Sequence, residues 1–212
     1  MESSPVLLES IEKIRRGWLL ATAGNRSWLL TEETAVRMGL ANGSAVVPAE
    51  MDGVAYTEQL PRARSDAERY LSMAEHTAVQ LRTYLGGRKY HSRVIEEILD
   101  WALGTGLVDD RRYAEAFVRS HSKRSPMGNF RLRMELVKRG VPSDDVEAVL
   151  SDREDDGLYR DLLKDVKGRY AGMERQKALR RATGYLMRRG FDFDLVRRVL
   201  EEALGSTEEG PG

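Results

Sequence analysis

The apolar positions of this chain recur in a block that occurs three times. The copies run from Leu81 to Leu99, from Leu132 to Leu150 and from Ala182 to Leu200, and they align without a gap. The aligned positions include Leu85, Leu136 and Leu186, then Arg88, Arg139 and Arg189, then Tyr90, Val141 and Phe191, and then Ile95, Val146 and Val196. Each copy preserves its apolar face, so the pattern predicts a helical packing module repeated along the chain.

The pattern before residue 60 is short and β-like. Alternation in Ile11–Ile14, the apolar Trp18–Ala21, a turn at Gly24-Asn25 and the run Ser27–Leu30 predict a small hairpin. Thr31 then begins a short helix, and Pro48 opens another one through Tyr56. We expect this segment, residues 1–60, to pack against the helical part of the chain, because it holds too few apolar residues for a deep core of its own.

The period becomes helical after Ser65, which with Asp66 is predicted to cap the next helix. The predicted three-helix repeats span 65–105, 107–151 and 156–204, and the polar, glycine-rich residues 205–212 are typical of a disordered tail. The expected fold class is therefore mainly α: three tandem three-helix repeats form an elongated curved body, preceded by a small β-rich N-terminal segment.

Composition excludes several classes of chemistry. The chain has no cysteine for a disulfide or thiolate metal site, and no apolar run near the ~18 residues of a membrane span. His76, His91 and His121 are not spaced as a metal pair, and no phosphate-binding glycine loop is present. We therefore expect no cofactor, no metal, no membrane and a cytoplasmic location.

Two kinds of residue that could carry chemistry have simpler structural roles. The paired carboxylates Asp109-Asp110 and Asp144-Asp145 stand at predicted helix starts, where they satisfy free N–H groups and face the positive end of the helix dipole. The aromatic residues fall mostly at the spacing of the buried face and are assigned to the core; they are Tyr70, Tyr84, Tyr113, Phe117, Phe130, Tyr185 and Phe191. Phe193 is off this register and is expected to be exposed.

Charge is neutral in sum but unevenly distributed. Nine Lys/Arg stand against two acids between Arg111 and Arg139, and again between Lys164 and Arg189. Such stretches are either solvated helix faces with local partners or a surface for an anionic partner. We favour the second, because like charges cluster on successive modules. The candidate surface consists of Arg119, Lys123, Arg124, Arg131, Arg133, Arg139, Arg180, Arg181, Arg188 and Arg189.

Two central stretches resemble a known family. LVDDRRYAEAFVRS (residues 107–120) and RLRMELVKRGV (131–141) closely resemble the central signature of the bacterial RecX regulatory proteins, and the flanking copies resemble that family's first and third repeats. One departure is Lys89, which stands where the first repeat usually has glycine. The motif residues that carry over, as fold determinants, are Asp109, Asp110, Arg111, Tyr113 and Phe117.

The resemblance implies a non-enzymatic modulator of the RecA recombinase, acting in recombinational repair and the SOS response. Its body would lie in the groove of the RecA–single-stranded DNA filament, inhibit recombinase and coprotease activity and favour disassembly. It implies the RecA filament as partner. We expect a monomer, although the sequence leaves the oligomeric state open. Whether single- or double-stranded DNA is bound without RecA stays open.

A helix-turn-helix DNA-binding transcriptional regulator is the alternative, because a three-helix unit with a basic helix is also typical of such modules. A direct reader would bind duplex DNA alone, sequence-selectively and with steep salt dependence, whereas a filament modulator would act on RecA-coated single strands. An enzyme is the third possibility, and the sequence shows no assembled site for one.

Overall fold

The N-terminal segment forms two small antiparallel sheets. The computed structural model describes residues 4–15, 17–123, 126–151, 153 and 155–205, with the backbone alone at 122, 123, 155 and 156. The first elements are β1 (Val6–Leu7), β2 (Ser10–Arg15), β3 (Trp18–Ala23), β4 (Arg26–Thr31), α1 (Glu32–Arg37) and β5 (Ala45–Val46). Strands β2, β3 and β4 are neighbours in that order, and β1 pairs with β5. The hairpin at Gly24-Asn25 and the helix capped by Thr31 are as predicted.

The prediction of two helices around residue 60 is wrong. A single helix, α2, runs from Pro48 to Leu71, with Pro61 on its exposed side and Ser65 and Asp66 in its interior. The reason is a buried stripe that continues through Pro61 at four-residue spacing, so that packing overrides the local stop and start signals. Its members are Met51, Ala55, Gln59, Ala63 and Ala67.

Helix α2 joins the sheet to the first repeat. Met51 and Ala55 belong to the core under the sheet, whereas Ala63 and Ala67 belong to the core of the first repeat. Between them, the buried Gln59 donates from Nε2 to the Leu29 carbonyl at 3.0 Å and accepts the His91 N–H at 2.7 Å. The N-terminal segment thus has a small core of its own and shares one helix with the first repeat.

The chain divides into two compact units, Met1–Asp109 and Asp110–Gly212. The first unit is completed by α3 (Ala78–Gly87) and α4 (Ser92–Gly104). The second unit contains α5 (Asp110–Lys123), α6 (Asn129–Lys138), α7 (Ser143–Ser151), α8 (Asp155–Tyr170), α9 (Arg175–Arg188) and α10 (Phe193–Leu204). The architecture is therefore mainly helical, with three three-helix repeats after a β-rich segment, as the sequence predicts. Helix α10 is followed by Gly205, and the predicted tail beyond it lies outside the described residues.

Each repeat has the same turn between its second and third helices. The residue after the helix C-cap has a positive φ, which is +65° at Lys89, +84° at Gly140 and +83° at Gly190. Lys89 therefore keeps the turn geometry of the two glycines. Its backbone is in the left-handed conformation, which residues other than glycine rarely adopt because of their Cβ. The aligned residues immediately after this turn are buried in all three repeats: Tyr90, Val141 and Phe191.

Backbone hydrogen bonds link the second and third repeats. The Gly128 N–H, at the start of α6, donates to the Arg189 carbonyl at 2.9 Å, and the Phe130 N–H donates to the Gly190 carbonyl at 3.2 Å. The turn before α10 thus satisfies N–H groups that the first turn of a helix leaves without intrahelical partners. We refer to this contact as the Gly128–Gly190 junction.

One aromatic residue assigned to the core is on the surface. Phe130 is 65% exposed, because α6 buries Leu132 and Leu136 and turns a second apolar face outward. Phe191 is buried and Phe193 exposed, as predicted. The remaining aromatic residues of that set are partly buried. Within the described residues, no helix combines the length and apolarity that crossing a membrane requires.

Candidate anion-binding surface

The middle helix of the repeat becomes more basic along the chain. Helix α3 carries one arginine, Arg82; α6 carries three basic residues and one acid; α9 carries five basic residues and no acid. The basic residues of α9 are Arg175, Lys177, Arg180, Arg181 and Arg188. Positive charge is therefore concentrated on the third repeat.

An ion pair recurs in the first two repeats and is missing from the third. Arg82 contacts Glu96 through both terminal nitrogens, and at the equivalent position Arg133 donates to Glu147 from Nε at 2.5 Å and Nη2 at 2.7 Å. Hydrogen bonding within this second pair raises the pKa of Arg133 and lowers the pKa of Glu147. The third repeat has Thr183 and Arg197 at these positions, so the pair is absent there, and Arg197 instead lies 3.9 Å from Asp194.

The arginines that recur before the turn are held by aromatic rings. Each forms the C-cap of its helix, where the dipole favours a cation. The guanidinium of Arg88 lies 4.6 Å from the Tyr84 ring centroid, that of Arg139 lies 4.5 Å from Phe117, and that of Arg189 lies 5.1 Å from Tyr185. Such cation–π contacts are worth roughly 0.5–2 kcal/mol each.

These arginines also have polar partners. Arg88 lies 3.5 Å from the buried carboxylate of Asp66, and Arg139 pairs with Glu135 at 2.5 Å and lowers the pKa of that carboxyl. Arg189 contacts the hydroxyl of Tyr185. The recurrence of arginine at this position therefore has a structural explanation, whatever else these side chains bind.

Four other arginines surround a shallow cleft of about 520 Å³ on the third repeat. The cleft is lined by Arg169, Tyr170, Arg180, Arg181, Gly184, Tyr185 and Arg188. Gly184 leaves room for Arg188, whose Nη1 would be 3.1 Å from a Cβ at that glycine. Arg169 is paired with Asp165 at 3.1 Å, which raises the pKa of the guanidinium. Arg180, Arg181 and Arg188 are exposed and form no hydrogen bond or ion pair with the described part of the chain.

The remaining predicted basic residues are dispersed. Arg131 is exposed at the start of α6 and has no such partner among the described residues, whereas Arg119 on α5 lies 3.6 Å from Glu115. The side chain of Lys123 and the whole of Arg124 lie outside the described residues. The structure thus groups Arg180, Arg181 and Arg188 in one cleft and leaves the other described residues of the set at separate positions of the second unit.

The motif residues lie in helix α5 and immediately before it. Asp109 immediately precedes α5, Asp110 occupies its first turn, and Arg111 lies 3.6 Å from Glu115. Tyr113 and Phe117 pack against the core of the second repeat, and Phe117 also stacks on His121 with ring centroids 4.1 Å apart.

Sequence reasoning did not single out Arg169 as part of the cleft. The available signal was its place in the basic stretch between Lys164 and Arg189. Among the described residues there is also no group of three or more His, Cys, Asp or Glu arranged to hold a metal ion.

Comparison with known proteins gives consistent matches along the chain. Family profiles for the first, second and third three-helix domains of RecX match residues 63–101, 109–150 and 160–200. The chain is 36% identical over 150 residues to "Regulatory protein RecX" of Halorhodospira halophila, covering 70% of this chain and 92% of that protein. It is 32% identical over 141 residues to the protein of the same name from Trichlorobacter lovleyi, covering 64% and 92%.

Solved structures match the fold. A crystal structure of regulatory protein RecX superposes with a TM-score of 0.62 at 20% identity, covering 92% of this chain and 98% of that one. The RecX structure from Lactobacillus salivarius gives 0.64 at 22% identity, covering 69% and 97%.

Proposed function

The chain belongs to the RecX family of regulatory proteins, and we propose that it is a non-enzymatic regulator that binds the RecA–single-stranded DNA filament. Binding would inhibit recombinase and coprotease activity and so modulate recombinational repair and the SOS response. The proposal includes a cytoplasmic monomer without a cofactor.

The observation that carries this proposal is the arginine cleft of the third repeat. Arg180, Arg181 and Arg188 are exposed, line one cleft and form no hydrogen bond or ion pair with the described part of the chain. Guanidinium groups bind phosphate oxygens through paired N–H donors, and Arg cannot lose its charge at physiological pH. A nucleoprotein filament offers a repeated array of phosphates, which matches a cluster of uncompensated guanidinium groups.

The ten basic residues selected from the sequence do not carry equal weight in this proposal. Arg133, Arg139 and Arg189 already have partners within the chain, so that binding an outside anion requires them to share or exchange those partners. Arg131 and the cleft arginines have no such competition among the described residues. We therefore assign the phosphate contact to the cleft arginines.

The test is inhibition of RecA strand exchange by the full-length chain. The double variant Arg180→Glu/Arg181→Glu is compared with Arg26→Glu/Arg197→Glu, which changes net charge equally at exposed arginines on β4 and α10. We expect the cleft variant to require at least about tenfold more protein for half-inhibition, because each reversal replaces a phosphate contact with a repulsion. The control variant should inhibit like the wild type.

Two results would contradict the proposal. Equal loss of inhibition in both double variants would show an effect of net charge rather than of the cleft. Sequence-selective binding of bare duplex DNA, without any effect on RecA filaments, would instead favour the helix-turn-helix regulator. Circular dichroism of all variants checks that the helical fold is unchanged.

A further inference from the structure

Helix α6 presents an apolar stripe to solvent. Phe130, Met134 and Val137 are 65%, 60% and 51% exposed, at positions i, i+4 and i+7 of the helix. This spacing places them on one face, while Leu132 and Leu136 are fully buried on another. Isolated exposed apolar residues are normal on a protein surface, but three in register on one helix indicate a binding surface. We call these three residues the α6 stripe.

The charges beside the α6 stripe are not symmetric. Arg131 and Lys138 lie two helical turns apart on the same flank, and neither forms an ion pair with a residue that the structure describes. The cation on the other flank, Arg133, is already neutralised by Glu147. Glu135 lies on the same flank and pairs with Arg139 at 2.5 Å, so this flank holds three cations and one acid. The stripe therefore has a net positive edge on one side only.

The stripe is specific to the second repeat. The equivalent positions in the first repeat are Val79, Thr83 and Gly86, and in the third repeat they are Arg180, Gly184 and Met187. The first set lacks two of the three large side chains, and the third belongs partly to the arginine cleft. Packing within the repeat therefore does not require these apolar residues, because two copies of the same module omit most of them.

We propose that the α6 stripe is a docking site for an amphipathic, acidic segment on the protein component of the filament. This inference rests on the proposed function and adds one point to it. The third repeat contacts the phosphates of the filament, and the second repeat contacts its protein component. The large ring of Phe130 would insert into the apolar face of the segment, and the flexible side chain of Met134 would adapt to its shape. The carboxylates of the segment would face Arg131 and Lys138.

Two other occupants fit the stripe less well. Nucleic acid is bound through dense cations and stacking rings, whereas two of the three stripe residues are aliphatic and cannot stack on a base. A second copy of this chain, pairing α6 with α6 about a twofold axis, would bring together two flanks that each hold three cations and the single acid Glu135, so that their net charges repel. An acidic, apolar segment of a different protein satisfies both features.

The test compares three ligands: the RecA–single-stranded DNA filament, RecA without DNA, and a single-stranded oligonucleotide alone. Affinities are measured for the wild type, for Phe130→Ala/Met134→Ala/Val137→Ala and for Arg131→Glu/Lys138→Glu. The matched control is Val79→Ala/Met187→Ala, which truncates apolar residues of 45% exposure each on the middle helices of the other repeats. All substitutions are at exposed positions, and circular dichroism checks the fold.

We expect the stripe variant to weaken binding to the filament and to DNA-free RecA by about tenfold or more, with oligonucleotide affinity unchanged. The charge variant should weaken both RecA-containing complexes, and the control should bind like the wild type. If the stripe variant binds the filament with wild-type affinity, this inference is wrong, while the proposed function is unaffected.

Other outcomes also discriminate between occupants. Loss of oligonucleotide affinity together with filament affinity would identify the stripe as a nucleic-acid surface. A change in the sedimentation of the chain alone on mutation would identify it as a contact between copies. Either result overturns the inference while leaving the proposed function intact, whereas a wild-type chain that fails to bind the filament overturns both.

Discussion

The close contact at the Gly128–Gly190 junction predicts that adding a side chain to either glycine destabilises the protein. A Cβ added to Gly128 would overlap the carbonyl of Gly190, and a Cβ added to Gly190 would lie 2.5 Å from the backbone N and the Cβ of Arg131. Both overlaps involve atoms close to the main chain, which cannot rotate away. Gly128 has an ordinary φ of −72°, so Gly128→Ala introduces the overlap without backbone strain.

The size of the effect depends on which contacts must separate. Moving the two segments apart removes the hydrogen bonds of 2.9 and 3.2 Å that link them, at about 1–3 kcal/mol for each group left without a partner. Overpacking alone costs about 1–3 kcal/mol. We therefore expect Gly128→Ala to lower the free energy of unfolding of the second unit by about 3 kcal/mol or more.

Gly172→Ala is the matched control. Gly172 lies in the same unit and has a φ of +74°, but a Cβ there would meet nothing within 4 Å. Its substitution tests the left-handed backbone alone, at about 1–2 kcal/mol. Urea unfolding of the full chain, followed by circular dichroism, measures both variants. A loss in Gly128→Ala no larger than that in Gly172→Ala would refute the close contact between the two repeats.

Three further predictions concern single side chains. Tyr90→Phe removes the hydroxyl that donates to the buried Asp66 at 2.8 Å and should cost about 1–3 kcal/mol in urea unfolding. Because burial and this hydrogen bond raise the Tyr90 pKa to about 12, the wild type should also lose stability between pH 10 and 12. That loss should be smaller in the variant, which keeps only the other tyrosines of raised pKa. Glu147→Gln should destabilise the chain at pH 7, and the difference from the wild type should shrink as the pH falls through the lowered pKa of Glu147. Protonation there removes the charge pairing of the wild-type carboxylate with Arg133, and thermal unfolding followed from pH 7 downward tests this. Lys89→Gly should raise the free energy of unfolding by up to about 1 kcal/mol by relieving a φ of +65°, and an unchanged urea midpoint would contradict this explanation.

The repeat architecture could be predicted because its signals are local and occur three times. Leu85, Leu136 and Leu186 are all fully buried, and the turn before Tyr90, Val141 and Phe191 keeps one geometry even where lysine replaces glycine. Helix α2 could not be predicted in the same way. Ser65, Asp66 and Pro61 each indicate a helix boundary, and only packing against both the sheet and the first repeat shows that the helix continues.

The candidate surface was only partly accessible from sequence. Arg139 and Glu135 stand four residues apart on one helix, so their pairing could have been recognised, and the repeated Arg82–Glu96 spacing pointed to Arg133 and Glu147. The stacking of Arg139 on Phe117 joins different helices and requires coordinates. Helix α6 has two apolar faces, and its sequence does not say which of them its neighbours bury; Phe130 was therefore assigned wrongly.

The proposed function depends most on the arginine cleft of the third repeat, and the salt dependence of filament binding is its most direct test. The affinity of the full-length chain for RecA-coated single strands is measured over a range of salt concentrations for the wild type and for Arg180→Glu/Arg181→Glu. Loss of two phosphate contacts should reduce the slope of log affinity against log salt by about 0.7 for each contact. A variant with wild-type affinity and an unchanged slope would show that the cleft does not face the filament.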